Sequence, residues 1–138
     1  MTLDAESKVF ASDFQFPTLV ACTSAEKILM VDILNQTSKA LVDSADLGKG
    51  SQLQSIAINH KINTFGVGSF DGRANISSIN KSVNNCYQQK AVITFKSNKQ
   101  DEGGLTMLYP VNSVGFNPRN DRWFMTAGAE GCIHFWDY

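Results

Sequence analysis

With 138 residues, 43% of them hydrophobic and only 18% charged, the chain is long enough for one globular core and too apolar for a disordered tail. Its net charge of −1 excludes a broad attraction to nucleic acid or an anionic membrane, so such binding would need a local patch. Cys22, Cys86 and Cys132 form neither a CxxC pair nor a disulfide framework, which favours a reducing compartment. No apolar run reaches the roughly 18 residues of a membrane span, and Met1–Ser7 lacks the regions of a signal peptide, so a soluble intracellular protein without membrane insertion is expected.

In chain order, Val9–Phe14 is a short apolar-rich run broken at Pro17. Thr18–Thr23 is a second run and Ile28–Leu34 a third, with Ser24–Lys27 as the turn between them. Short runs bounded by turn residues predict strands in a meander. A fourth strand is expected at Ala40–Val42 after the polar Asn35–Lys39, and Ser44–Ser51, with Gly48 and Gly50, reads as a loop. The unit begins again at Leu53–Ile58. It continues through Thr64–Gly68, the turn Ser69-Phe70-Asp71-Gly72, the strand Arg73–Ile79 and a later strand Ala91–Phe95. Val111–Phe116 opens a third unit and lies on Leu53–Ile58 position by position: Leu53 on Val111, Ile56 on Val114, Ile58 on Phe116, then Asn59 on Asn117. Trp123–Thr126 and Cys132–Trp136 follow. Pro118, which has no N–H for a ladder, sits just past the first of these runs. Gly128 and Gly131 bracket a tight turn that accepts positive φ. Asn80–Lys90 and Ser97–Leu108 read as polar inserts.

An acid in the second turn of each unit serves as a ruler: 45 residues separate Glu26 from Asp71, and 59 separate Asp71 from Glu130. The first spacing fits the roughly 40–45-residue period of WD repeats, and the inserts lengthen the second. The third unit ends in Trp136-Asp137, the dipeptide that marks a propeller blade's third strand. These features predict an all-β, WD40-type β-propeller present in part: two four-stranded blades over residues 1–45 and 52–96, and an incomplete third over 110–138. A closed ring needs more blades, so the sequence reads as a fragment or truncated relative, with remaining blades or self-association covering its open faces. A single all-β sandwich of about ten strands uses the same runs and is the competing architecture. Because a blade must be covered on both faces, both sets of Cys132–Trp136 are apolar: Ile133 and Phe135 on one, Cys132, His134 and Trp136 on the other.

No catalytic constellation emerges, and the chain reads as non-enzymatic and without cofactors. His60 and His134 have no HxxxH or HExxH spacing and no cysteine at ligand spacing, so no metal site is expected. Gly66-Val67-Gly68 lies in a hairpin, not at a strand-to-helix phosphate loop, and Ser24, Ser69 and Ser113 show no nucleophile elbow. Glu26, Asp71 and Glu130 read as turn residues accepting nearby backbone N–H bonds, with Gly72 and Gly131 as structural glycines of those turns. Trp136 and Asp137 read as structural too, the indole buried between blades with its N–H needing a partner. The functional lead is topological. The turn between strands two and three opens on the same rim as the connection leaving strand four, so Arg73, Lys96 and Lys99 should share that rim and Arg119 and Arg122 the opposite one. Three cations without an adjacent acid make a cradle for an acidic peptide, with Arg73 gripping a carboxylate bidentately. RNA bound on the same rim, with Tyr87 or Tyr109 stacking on bases, is a further possibility.

Three segments carry a family resemblance. Val9–Leu34 has Phe16-Pro17 before its second strand and the turn Ser24-Ala25-Glu26-Lys27. Gly68–Arg73 reads GSFDGR, and Phe95–Lys99, FKSNK, is followed by Tyr109-Pro110-Val111-Asn112-Ser113. The ordered set resembles one branch of the WD-repeat proteins: the nuclear-pore mRNA export factor that docks on the GLEBS motif of a nucleoporin, and its spindle-checkpoint paralogue. The Ser24–Lys27 turn leans toward the export branch and Tyr109–Ser113 toward the checkpoint branch. Ser97, Asn98 and Lys99 depart from the family's cysteine-histidine-arginine, and Cys132 stands where many relatives have arginine. The resemblance implies a scaffold whose turn arginine, Arg73 here, engages glutamates of a GLEBS segment in mRNA export, at the nuclear pore, in the nucleus and in the cytoplasm. Its alternative is a checkpoint adaptor for kinetochore kinases.

Overall fold

The computed structural model describes residues 2–34, 39–43, 47, 50–59, 61, 63–81 and 87–138. His60, Cys86, Gly48, most of the 35–38 and 44–49 stretches and the middle of the 80–90 insert lie outside the described residues, as does the ring of Tyr87. Strands β1 (Val9–Gln15), β2 (Thr18–Thr23), β3 (Lys27–Asp32) and β4 (Lys39–Asp43) form one antiparallel sheet in chain order. A second sheet takes β5 (Leu53–Asn59), β6 (Thr64–Ser69), β7 (Arg73–Lys81) and β8 (Tyr87–Lys96) in the same order. After a two-stranded hairpin, β9 (Lys99–Glu102) and β10 (Leu105–Leu108), a three-stranded sheet follows with β11 (Val111–Phe116), β12 (Trp123–Gly128) and β13 (Ile133–Asp137). Among the described residues no helix is long and apolar enough to cross a membrane.

The three sheets repeat one register. In each, the first ladder slips at the same place, between Val9 and Ala11, Leu53 and Ser55, and Val111 and Ser113. A bulge of this kind adds local twist, and its recurrence joins the alignment of Leu53 with Val111 to Val9. The second ladders sharpen the ruler. Cys22 pairs with Ile28, Gly68 with Ala74 and Ala127 with Ile133, so the turn positions equivalent to Asp71 and Glu130 fall on Ala25, not Glu26. Glu26 instead occupies the left-handed position, φ 57°, that Gly72 (76°) and Gly131 (81°) fill in the other two turns. Counting acids placed the first unit's marker one residue late, because the glutamate had taken the place of the turn glycine. Gly128, expected to share the turn's positive φ, is small for another reason: a Cβ there would lie 1.6 Å from Asn98 Nδ2.

The sheets stack so that β1 contacts β5 and β5 contacts β11, each unit's first strand lying beside the next. Alternation aims Val20, Cys22, Ile28 and Met30 of the first sheet at Leu53, Ile56, Ile58 and Phe65 of the second. Burial in this layer pushes the Cys22 thiol up. Ala57, Ala74 and Ile76 on the reverse face of the second sheet meet Val111, Val114 and Phe124 of the third. Each fully buried large side chain here contributes about 1.5–3 kcal/mol relative to exposure. The second interface interlocks through a missing side chain: Gly66 leaves space for the ring of Phe124, whose Cε2 lies 2.3 Å from where a Cβ would stand.

The outer face of the third sheet is open. Ile133 and Phe135 are 61% and 66% exposed, while His134 and Trp136 on the other set are half-buried. The two apolar sets of this strand are therefore unlike, and the outer one lines a shallow hollow of about 250 Å³ between Phe116, Trp123, Met125 and Phe135. The outer face of the first sheet is partly covered, since Leu3 and Ala5 pack on Ala21, Leu29 and Val31.

The polar inserts carry more strand than expected. Arg73–Ile79 and Ala91–Phe95 are the inner halves of longer arms running to Lys81 and from Tyr87, and Ser97–Leu108 contains the β9–β10 hairpin. The polar residues on the partner strands hid this, while Leu105, Met107 and Leu108 of β10 are exposed, so their apolar character marks no buried face.

Candidate functional site

The turn Ser69–Arg73 and the connection leaving β8 meet at one rim. Arg73 and Lys96 are ladder partners. The chain then folds over the turn, Ser97 N–H and Asn98 N–H both donating to Gly72 O at 2.8 and 3.2 Å. Gly72 permits this approach because a Cβ would lie 2.7 Å from Asn98 O. Lys99 follows at the start of β9, so the three expected cations are brought together. Arg119 and Arg122 lie in the turn between β11 and β12 at the opposite end, where Arg122 Nε pairs with Asp137 Oδ1 at 3.0 Å.

The expectation that these cations have no adjacent acid does not hold. Arg73 Nε lies 3.0 Å from Asp71 Oδ2, and Nη1 donates to Leu47 O at 2.9 Å. Lys99 Nζ lies 3.3 Å from Asp101 Oδ2. Each acid stands two residues from its cation in the sequence, Asp71 in the same turn as Arg73 and Asp101 along one face of β9 from Lys99, so the spacing itself offered both pairs. Arg73 nevertheless remains 41% exposed, and its bonds to Asp71 and Leu47 O hold the guanidinium in place at the rim. Across the hairpin, the hydroxyl of Thr106 on β10, donating to Asp101 at 2.6 Å, holds the Asp101 carboxyl below its usual range, with help from Lys99 and Lys96. Tyr109 is half-buried with its N–H on Asn98 O at 3.0 Å.

Beneath the rim the turn acids work between sheets, where only local turn bonds were expected. Glu26 Oε2 accepts Gly50 N–H at 3.1 Å, 24 residues away. Asp71 accepts the Ser69 hydroxyl and, at 3.2 Å, that of Ser51, which comes from the connection between the first two sheets. Glu130 Oε2 accepts Asn98 Nδ2 at 2.7 Å. A second clasp lies deeper: Trp136 Nε1 donates to Thr126 Oγ1 at 2.9 Å, and Thr126 Oγ1 lies 2.6 Å from Ser97 Oγ, both hydroxyls being buried. The Trp136 ring packs on Phe95, centroids 4.5 Å apart. The partner expected for the Trp136 N–H is thus Thr126, and the connection carrying the rim cations is bolted to the next sheet. Ser97 and Asn98 are the residues that sequence reasoning set aside as departures; a small hydroxyl followed by an amide between two strands was the available signal.

The reading that no cysteine stands near a histidine at ligand spacing fails at His134. Its Nε2 lies 3.1 Å from Glu130 Oε1, and the ligand atoms of Glu130, Cys132 and His134 all fall within 4.8 Å of one another.

No family model matches the sequence. Curated relatives do match along nearly all of it. The chain is 28% identical over 136 residues to a Poly(A)+ RNA export protein of Schizosaccharomyces pombe, covering 99% of this chain and 36% of the relative. It is 30% identical to the spindle assembly checkpoint protein bub3 of the same organism, covering 97% of this chain and 40% of the relative. A WD40 repeat protein, poxJ, of Penicillium oxalicum is 26% identical over 99% of this chain and 38% of its own length. The chain spans about two fifths of the relatives it matches. Its homologues include proteins named mRNA export factor and Bub3-type checkpoint protein, and its stacked antiparallel sheets form part of a WD40-type β-propeller.

Proposed function

We propose that the chain is part of a non-enzymatic WD-repeat scaffold whose basic rim binds an acidic, GLEBS-type linear motif of a nucleoporin, in mRNA export at the nuclear pore. The observation that carries this reading is the pairing of Arg73 with Lys96 across one ladder, with Lys99 on the connection clamped to the same turn. A rim held by Gly72 O and by the Asn98–Glu130 bond presents its cations with little ordering cost, and preorganisation of this kind favours affinity. The chain's relatives named for RNA export are in keeping with it.

Calorimetric titration of a GLEBS-type peptide tests the reading. Reversing both lysines, Lys96→Glu with Lys99→Glu, removes two attractions of about 0.2–1 kcal/mol each and adds repulsion, so Kd should rise about tenfold or more. Arg73→Glu should abolish binding with the circular dichroism unchanged, and Arg119→Glu on the opposite rim should have no effect. Binding retained by both rim variants would overturn the assignment. A checkpoint adaptor for kinetochore kinases is the second reading, favoured by the 30% identity to a checkpoint protein; recruitment to unattached kinetochores instead of nuclear pores would select it.

A further inference from the structure

Glu130, Cys132 and His134 belong to no part of the peptide-binding reading. Cys132 immediately precedes β13 and His134 is the second residue of that strand, and the extended alternation sets them on one face with Trp136. Gly131, at φ 81°, turns the chain so that the Glu130 carboxylate comes back over that face. The carboxylate oxygen, Sγ and imidazole nitrogen then lie within 4.8 Å of one another.

The spacing suits a metal ion. With metal–ligand bonds of about 2.0–2.3 Å in a tetrahedral site, neighbouring donor atoms are roughly 3.3–3.5 Å apart. Glu130 Oε1 and His134 Nε2, hydrogen-bonded at 3.1 Å, need to part only slightly to reach that separation. The Cys132 thiol, within 4.8 Å of both, has only a short way to close, on a side chain that is exposed and free of any disulfide. A thiolate, an imidazole and a carboxylate together select a borderline cation of the zinc class over magnesium or calcium. The carboxylate is also oriented from behind: its other oxygen accepts Asn98 Nδ2 at 2.7 Å, and Asn98 is itself fully buried and tied by its N–H to Gly72 O. Outer partners of this kind hold metal ligands in place.

We propose that Glu130, Cys132 and His134 form a three-ligand site for a divalent zinc-class cation, with Asn98 positioning the carboxylate and the fourth coordination position open to solvent. The ion replaces the Glu130–His134 hydrogen bond and releases the thiol proton. Sequence spacing alone gave no metal site at His134, because the third donor comes from the turn and not from the strand.

The test uses the full chain, stripped of metal under reducing conditions and titrated with Co²⁺, then with Zn²⁺. The expected result is one tightly bound cobalt per chain at any protein concentration, with a thiolate-to-cobalt charge-transfer band and the visible bands of tetrahedral cobalt, both lost on adding zinc. Cobalt should also quench Trp136, whose ring centroid is 5.7 Å from that of His134. Cys132→Ser should remove the charge-transfer band. His134→Ala and Glu130→Gln should each weaken binding at least about tenfold, the scale reached by loss of even an outer partner. Cys132 is exposed, so its replacement leaves the fold intact, and circular dichroism of each variant checks this. Absence of the thiolate band at equimolar cobalt, its survival in Cys132→Ser, or binding that appears only with dimerisation would overturn the proposal.

Discussion

Replacing Gly66 by alanine tests whether the second and third sheets interlock as described. The added Cβ would stand 2.3 Å from Cε2 and 2.7 Å from Cζ of Phe124, where carbon atoms prefer about 3.5–4.0 Å. The ring must retreat by more than an ångström, yet it is fully buried and backed by Phe116 with centroids 5.0 Å apart. Overpacking of this kind costs about 1–3 kcal/mol. Phe124→Leu shortens the ring's reach and costs stability on its own through lost burial. In the double variant the leucine relieves the clash, so the loss should fall short of the sum by about 0.5–3 kcal/mol. Urea unfolding followed by the fluorescence of Trp123 and Trp136 gives all four stabilities. Losses that add within about 0.5 kcal/mol would show that the Phe124 ring does not occupy the space over Gly66, and the stacking of these sheets would have to be redrawn.

Two further outcomes follow from the clasps and the open face. Thr126→Val keeps the shape but removes the acceptor of Trp136 Nε1 and the partner of Ser97 Oγ; leaving such groups unpaired costs about 1–3 kcal/mol apiece, so the urea midpoint should fall clearly, whereas Thr126→Ser should restore most of it. Ile133→Lys with Phe135→Lys places charge on the open apolar face, so sedimentation velocity should show less self-association than in the unaltered chain while the circular dichroism stays the same.

The parts of this fold legible in the sequence are those that depend on one strand at a time. Val111–Phe116 and Thr18–Thr23 match their strands end to end, because short apolar runs between turn residues leave the backbone few other ways to pair. The placement of Arg73, Lys96 and Lys99 on one rim was legible too, since it follows from counting strands in a meander. What stayed hidden requires two elements at once: Leu47 reaches Arg73 from another connection, 26 residues away, and no spacing rule along the chain encodes that meeting. Asp71, two residues before Arg73 in the same turn, was open to a spacing argument.

The first unit's marker shows how such an error arises and what it hides. An acid was counted at Glu26 because acids occur in all three turns, but the repeated physical requirement is a residue at positive φ just before the third strand, met by Glu26, Gly72 and Gly131. Once that position is the ruler, Lys27, Arg73 and Cys132 become equivalent. The same turn then carries a cation in two sheets and a thiol in the third, where it stands beside Glu130 and His134. A position that supplies Arg73 to the rim in the second sheet therefore supplies a soft ligand in the third. Substituting Cys132 tests a site whose geometry is shared with the rim but whose chemistry is not, so loss of cobalt binding with peptide binding retained would separate the two roles.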